Sequence, residues 1–374
     1  MEENKHKLLT QQYSTWGDKL LQHTDVLYSI QHNRIIKPIT IQLAPIEACD
    51  SDCPFCSVAA RPIKTYLPFA KIQKILKDFK DLGAKSVELT GGGNPLLYRD
   101  KETKQNINDV IEYAHSLGYN IGIITNSHSF KRWLQPEHYD KIDWIRVSLI
   151  QLDEGKTPED YDFNGFPYSK LAFSYIIYDG QKDETGNYVA DELSRTNRVY
   201  NGTSVKTIES IAKLVKLHPE IKFVRLAGNC LIKGNNASTR DRWKDVIDKV
   251  DKLNKFFIKD IGYDDSPYND GCYVGMIRPY IAPSPHGDSY KVYACTSHVL
   301  EKRVYDEDWA LCDVNDIKTS WEQMNKNFVE KGYPYQVKNN QGQNWCNSCK
   351  FCYYKFNNKL LYTVANEMPD KNFP

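Results

Sequence analysis

The chain has 374 residues and a formal net charge of +1, with 41% hydrophobic and 26% charged residues. Length and composition are those of an ordinary soluble protein with one large domain and a smaller one. The near-zero charge excludes a whole-molecule field toward nucleic acid or membrane, leaving only a local basic groove as a route to nucleic acid. The charged start Met1–Lys7 lacks a secretory core, and no apolar run reaches the roughly 20 residues that span a bilayer. A cytoplasmic protein is expected, in a compartment where clustered thiols favour metal over disulfide.

Three segments are expected: an N-terminal helical extension over 1–37, a core over 38–258 and a C-terminal unit over 259–374. In the extension, Leu8, Leu9, Trp16, Leu20, Leu21, Leu27 and Ile30 recur at loose helical intervals. They predict a helix packed on the outside of the core, with a partner-binding arm as the alternative. Regular alternation then begins. Strands are predicted at 39–43, 86–90, 120–125, 144–150, 172–178 and 222–227, and helices at about 69–82, 106–117, 204–217 and 239–257. Gly83 and Gly118 stop the first two helices. Strand–helix alternation predicts an α/β fold whose parallel strands gather functional groups at their C-terminal ends. Two long polar stretches, 151–170 and 180–203, interrupt the pattern and read either as a substrate lid or as disordered excursions.

Chemistry concentrates after the first strand, in Cys49-Asp50-Ser51-Asp52-Cys53-Pro54-Phe55-Cys56. Three thiolates in one loop can hold three irons of a cubane and leave the fourth open. Zinc, the other candidate, favours a closed set of four ligands that this loop lacks. The second predicted strand runs into Gly91-Gly92-Gly93-Asn94-Pro95, where glycines permit close approach of backbone to a ligand. The third ends in Thr125-Asn126 and the fourth carries Ser148, short polar side chains suited to fixed hydrogen bonds or to helix capping. His115, His128, His138 and His298 show no metal-ligand spacing and read as structural or surface residues.

The C-x3-C-x2-C spacing, with Phe55 before its last cysteine, resembles that of the radical S-adenosylmethionine (radical SAM) enzymes. The resemblance implies an open partial (β/α)6 barrel and a [4Fe–4S] cluster on Cys49, Cys53 and Cys56 whose open iron binds SAM. Gly92, Gly93, Asn94 and Pro95 align with the family's Gly-Gly-Glu-Pro motif, which binds the methionyl amino group. Asn94 departs from the family's glutamate and offers an uncharged, weaker acceptor. Thr125, Asn126 and Ser148 would then lie near the SAM ribose and carboxylate, and Phe55 would shield the cluster and bring its backbone to the adenine. The implied activity is reductive cleavage of SAM to a 5′-deoxyadenosyl radical that abstracts hydrogen from an organic substrate. An external flavodoxin- or ferredoxin-like one-electron reductant is implied as partner.

Near the C-terminus, Cys272 opens an apparent hairpin that returns through Tyr290–Cys295, and Cys346, Cys349 and Cys352 follow. This order resembles the SPASM and shorter twitch extensions of the family, a small α+β region carrying auxiliary clusters. Six cysteines from Cys272 onward are too few for a full SPASM region, so a single auxiliary [4Fe–4S] cluster is expected. Its ligands would be Cys272, Cys295, Cys346 and Cys349, with Cys352 as the alternative to one of the last two and a zinc knuckle as the alternative centre. Cys230 and Cys312 read as small buried hydrophobes. The substrate class stays open among a peptide side chain, a small polar metabolite, and a nucleotide or nucleic-acid base. A non-catalytic iron–sulfur or zinc scaffold is the alternative of another class. The 25 tyrosines are not interleaved with basic residues as in a nucleic-acid groove.

Overall fold

The structure, a computed structural model, describes residues 9, 13, 16–59, 61–190, 195–229, 235–259, 272–284, 289–296, 310–332 and 354–366. Cys230, Cys346, Cys349 and Cys352 lie outside the described residues.

One sheet organises the molecule. Strands β1 (Thr40–Leu43), β2 (Ser86–Leu89), β3 (Asn120–Thr125), β4 (Trp144–Ser148), β5 (Leu171–Ile177), β6 (Val224–Gly228) and β7 (Phe256–Lys259) lie side by side in chain order, all parallel. Next to β1, on its other side, come β8 (Tyr280–Pro283), parallel to β1, and then β9 (Tyr290–Tyr293) and β10 (Cys312–Asp313), each antiparallel to its neighbour. The six expected core strands are all present. β7 is an addition: the helix expected to run to about 257 ends at Val250, and Phe256-Phe257-Ile258 pairs with β6 instead. The C-terminal hairpin likewise begins at Tyr280, because Val274–Ile277 forms a single helical turn.

The sheet is curled. Arg278, just before β8, acts electrostatically on Lys259 of β7. In a flat sheet those two strands would stand about 34 Å apart, since neighbours are ~4.8 Å apart. Among the described residues β7 and β10 are the edges of the sheet, so the curl is an open barrel.

Right-handed crossovers put the helices on one face. Alternation along each strand turns Ile41, Leu43, Val87, Leu89, Ile121, Ile123, Ile145, Val147, Val224 and Leu226 toward that face, all fully buried. Helix α1 (Trp16–Leu20) and helix α2 (Thr24–Gln31) precede the sheet; α3 (Phe69–Asp81) and α4 (Ile107–Ser116) follow β1 and β2. In α3, Ile72, Ile75, Leu76 and Phe79 make a single buried stripe at helical spacing, each contributing about 1.5–3 kcal/mol of burial. α4 starts at Asn106, whose side chain accepts from Asn108 N–H while Asp109 accepts from Asn106 N–H. α5 (Val205–Leu217) starts with Ser204 accepting from Thr207 N–H. α6 (Asn235–Val250), α7 (Val274–Ile277), α8 (Ile317–Lys331) and α9 (Lys355–Ala365) complete the set.

The N-terminal extension does not lie on the outer helical layer throughout. Tyr13 stacks on Phe223 at 4.6 Å, and Leu9 and Tyr13 pack on Ala172, Phe223 and Phe257, residues of the sheet's inner face at its N-terminal end. They form a floor to the barrel. The 151–170 stretch is packed rather than lid-like: Tyr161, Phe163 and Phe166 are buried in a cluster of rings with Phe130, Tyr139 and Phe173.

Candidate active site

The loop leaving β1 carries Cys49, Cys53 and Cys56, all free thiols. The turn after β2 grips the start of this loop: Gly93 N–H donates to the Ile46 carbonyl at 3.0 Å and Asn94 N–H to the Ala48 carbonyl at 2.8 Å. Gly91 and Gly92 take φ of +81° and +52°, where side chains are disfavoured. A Cβ on Gly93 would stand 1.8 Å from the Ala48 carbonyl oxygen, and one on Gly92 2.5 Å from both Glu47 carboxyl oxygens. Gly93 is therefore demanded by the approach of two backbones, and Gly91 and Gly92 by their positive φ and by the Tyr280 and Glu47 side chains against them.

Asp50 stitches the strand ends to this loop. Its Oδ1 accepts from Asn94 Nδ2 at 3.0 Å and from Asn126 Nδ2 at 2.9 Å. Asn94 Oδ1 in turn accepts from Thr125 Oγ1 at 2.7 Å and from Leu96 N–H, and its Nδ2 also reaches Ser127 Oγ. Asn126 Nδ2 donates to Ser51 Oγ at 2.7 Å, and its Oδ1 lies 3.9 Å from Cys49 Sγ. Cys49, Asn94, Thr125 and Asn126 thus form one network. Ser148 stands apart from it, ending β4 and opening a 3₁₀ turn without a side-chain capping bond. Phe55 packs on Tyr178, just past β5, at 5.0 Å.

A second tie comes from Arg61. Its Nη1 donates to Cys56 Sγ at 3.2 Å and to Val58 O, and its Nε to the Glu47 carbonyl at 2.8 Å. Burial opposes the guanidinium's charge, but Cys56, Cys49 and Glu47 outweigh it and raise its pKa. Glu47 is fully buried with both carboxyl oxygens lacking a hydrogen-bond partner, and burial pushes it up to about 8 against the pull of Arg61.

The third tie comes from residues 195–200 of the second polar stretch. Arg195 Nε meets Asp52 Oδ1 at 3.2 Å and its Nη2 the Ser51 carbonyl at 2.8 Å; Thr196 N–H and Oγ1 both donate to Asp52 Oδ2 at 2.9 Å. Glu154, past β4, collects Ser51 Oγ at 3.0 Å, Tyr200 OH at 2.8 Å and Arg198 Nη1 at 3.0 Å. Asp50, Asp52, Arg61 and Glu154 were not singled out in the sequence. Two of them sit between the first two cysteines, where a carboxylate is ordinarily a solvated loop residue, and no local signal marks the other two.

Residues 43–154 match the family model of the Radical SAM superfamily. Those residues form a Radical SAM superfamily domain. No curated protein matches the chain. Solved structures similar to it include SuiB of Streptococcus suis bound to precursor peptide SuiA, with 15% identity, TM-score 0.48, and 80% of this chain and 69% of that one covered. AnSMEcpe with bound AdoMet is similar at 13% identity and TM-score 0.38 over 89% and 97% of the two chains. BtrN in complex with AdoMet and 2-DOIA is similar at 12% identity and TM-score 0.35 over 78% and 87%.

Radical SAM enzymes take SAM and a [4Fe–4S] cluster, and the loop's chemistry fits that group. Burial pushes Cys49 up to about 11 and Cys53 well above its ordinary range, and Cys56 and Cys49 raise Cys53 further. Among the described residues no three His, Cys, Asp or Glu side chains converge as around a single ion. A cubane bonds each thiolate to a different iron, so its ligands stand further apart than those of one ion. Thiols held protonated must release protons when iron binds.

In the C-terminal part of the chain, Cys272 and Cys295 are buried, at 8% and 4% exposure. A Cβ on Gly275 would meet Ala294 at 2.8 Å, so the segments carrying the two cysteines touch. Asn358 of α9 reaches Cys272 Sγ at 3.8 Å and accepts from Val274 N–H at 3.0 Å. Tyr354, two residues past Cys352, lies 3.4 Å from Thr296 Oγ1. Cys312 is half-buried in β10, its thiol pushed up to about 12 by burial.

Proposed function

We propose that Cys49, Cys53 and Cys56 hold the cluster and that SAM lies across the ends of β1 to β4, against Phe55, Gly91–Pro95, Thr125, Asn126 and Ser148. The network through Asp50, which joins the cysteine loop to Asn94 and Asn126, carries this reading. The bound pair supplies reductive cleavage of SAM and a 5′-deoxyadenosyl radical for hydrogen abstraction from an organic substrate. The chain's own part is position. Arg61 donates to Cys56 Sγ, which stabilises a thiolate, and Asp50 holds Asn94 and Asn126 at fixed orientation. Asn94 Oδ1 already serves two donors of the chain, so the ammonium of SAM would meet backbone carbonyls of the turn more than this side chain.

In the same reading an auxiliary [4Fe–4S] cluster of twitch type is held by Cys272, Cys295 and two of Cys346, Cys349 and Cys352. The touching Cys272 and Cys295 segments, with Tyr354 beside Thr296, support it. A flavodoxin- or ferredoxin-like protein would deliver the electron. Anaerobically reconstituted protein with dithionite and SAM should form 5′-deoxyadenosine, and Cys53→Ala should form none. Formation by the variant at the wild-type rate would overturn the assignment.

A further inference from the structure

The inner face of the barrel is charged, and its charges do not balance. Alternation places Gln42, Glu88, Arg146, Ser148, Ser174, Arg225 and Lys259 on the face away from the helices. Glu88 is satisfied: its Oε1 accepts from Gln42 Nε2 at 2.9 Å and its Oε2 from Arg278 Nη2 at 3.1 Å. Arg278 also donates to Tyr354 OH at 3.0 Å. Glu88 is the one acidic side chain on this face among the described residues of β1–β7, and Arg278 occupies it.

Three cations then have no anion among those residues. Arg146 and Arg225 each bury an Nε that finds no hydrogen-bond partner. That Nε–H, with a neighbouring Nη–H, is the edge of guanidinium that grips a carboxylate or phosphate side-on. Burial and the neighbouring Arg146 push Arg225 well below its ordinary range, and burial with Arg225, Arg146 and Arg278 pushes Lys259 down to about 7. Both depressions come first from burial and then from neighbouring cations, and Glu88 offsets them only in part.

The register sets their heights. Ser148 pairs with Ser174, and Ser174 with Arg225, so Arg225 is level with the end of β4; Arg146 lies two residues lower on β4. Lys259 lies two residues above the partner of Arg225, at the C-terminal end of β7. The cations therefore climb from mid-barrel toward the mouth where the cysteine loop stands. Beside Arg146 and Arg225, at the same heights, the face is apolar at Ala172, Phe223 and Phe257, and Leu9 and Tyr13 pack on these. An internal structural layer would be expected to close its own charges, because a buried unpaired charge is costly.

We propose that Arg146, Arg225 and Lys259 bind an anionic group of the substrate, a carboxylate or a phosphate, inside the barrel beneath the SAM site. This rests on the radical SAM reading and narrows its substrate to a molecule bearing such a group. The site selects for planar or tetrahedral oxyanions that two guanidinium edges can share, and it rejects cationic and strongly apolar molecules from the same depth.

The test uses the reconstituted full chain with SAM, titrated by calorimetry with inorganic phosphate and separately with succinate, ionic strength held constant with chloride. At least one anion should bind saturably. Arg225→Met and Arg146→Met should each weaken it about tenfold or more, about 1.4 kcal/mol. Arg225→Lys should restore part of the loss, which a variant that merely misfolds would not do. Lys213→Met, which removes an exposed lysine paired with Glu159, should leave it unchanged. Tighter phosphate assigns a phosphorylated substrate, and tighter succinate a carboxylate. Wild-type protein that makes 5′-deoxyadenosine yet binds neither anion, or loses as much with Lys213→Met, overturns the inference alone. Anion binding without SAM cleavage overturns the radical reading and leaves the site standing.

Discussion

Asp153 shows how a single buried carboxyl beside the loop sets a pH dependence. Tyr175 and Tyr178 donate to its Oδ2 at 2.7 and 3.2 Å, yet burial outweighs them and pushes it from 3.8 up to about 6. A carboxyl raised in the folded state holds its proton more tightly there than in the unfolded chain. Its contribution is therefore fully present below about pH 4, falls as pH rises through 6, and near neutrality amounts to a cost on the order of 3 kcal/mol. Asp153→Asn removes that ionisation. Relative to wild type, the variant should gain stability between about pH 4.5 and 7. Denaturant unfolding of both proteins at the two pH values checks this, and a pH-independent difference would contradict it. At this scale the sequence reveals the thiols and the glycines, because iron chemistry and backbone approach each accept few residue types. It hides Asp50, Asp52, Arg61 and Glu154, whose partners are brought close only by the strand order.

At the scale of elements, the excursion over 195–200 is a strap tied to the cysteine loop by Arg195 and Thr196, and to Glu154, which itself holds Ser51, by Arg198 and Tyr200. Arg195 and Asp52 are partly exposed, and such pairs are worth about 0–1 kcal/mol. Arg195→Ala should therefore leave global stability within that range while amide exchange speeds up across residues 50–56 and 195–203. Hydrogen-exchange mass spectrometry reads both at once; unchanged protection would mean the strap is held elsewhere. The same element explains a limit of sequence reading. A polar stretch such as 180–203 has no periodicity, so only the fold shows that Asp52 is what its charges serve. β7 was hidden for a related reason: Phe256-Phe257-Ile258 is too short a run to separate from the tail of the preceding amphipathic helix.

Across the whole molecule, the C-terminal strands continue the core sheet, and α8 returns to the start of the chain. Asn325 accepts from Ile36 N–H at 2.7 Å and donates to Ile36 O at 3.2 Å. Trp321, fully buried, meets Phe79 of α3 edge-on at 5.0 Å. Trp321→Ala should cost about 3–5 kcal/mol. The loss should shift one cooperative transition rather than release an early C-terminal one. Calorimetry together with far-UV circular dichroism distinguishes the two, since a separate low-temperature transition would mean that the strands share a sheet without sharing stability.

The floor made by Leu9 and Tyr13 has an electrostatic consequence. Apolar side chains below and a helix-clad wall outside make poor paths for field lines, so the interior positive charge is focused out through the mouth. The chain's net charge of +1 conceals this, because the rest of the surface balances it. To an approaching anion the molecule is a lens rather than a neutral sphere. Its capture should be fast in dilute buffer and slow as salt shortens the screening length toward about 8 Å.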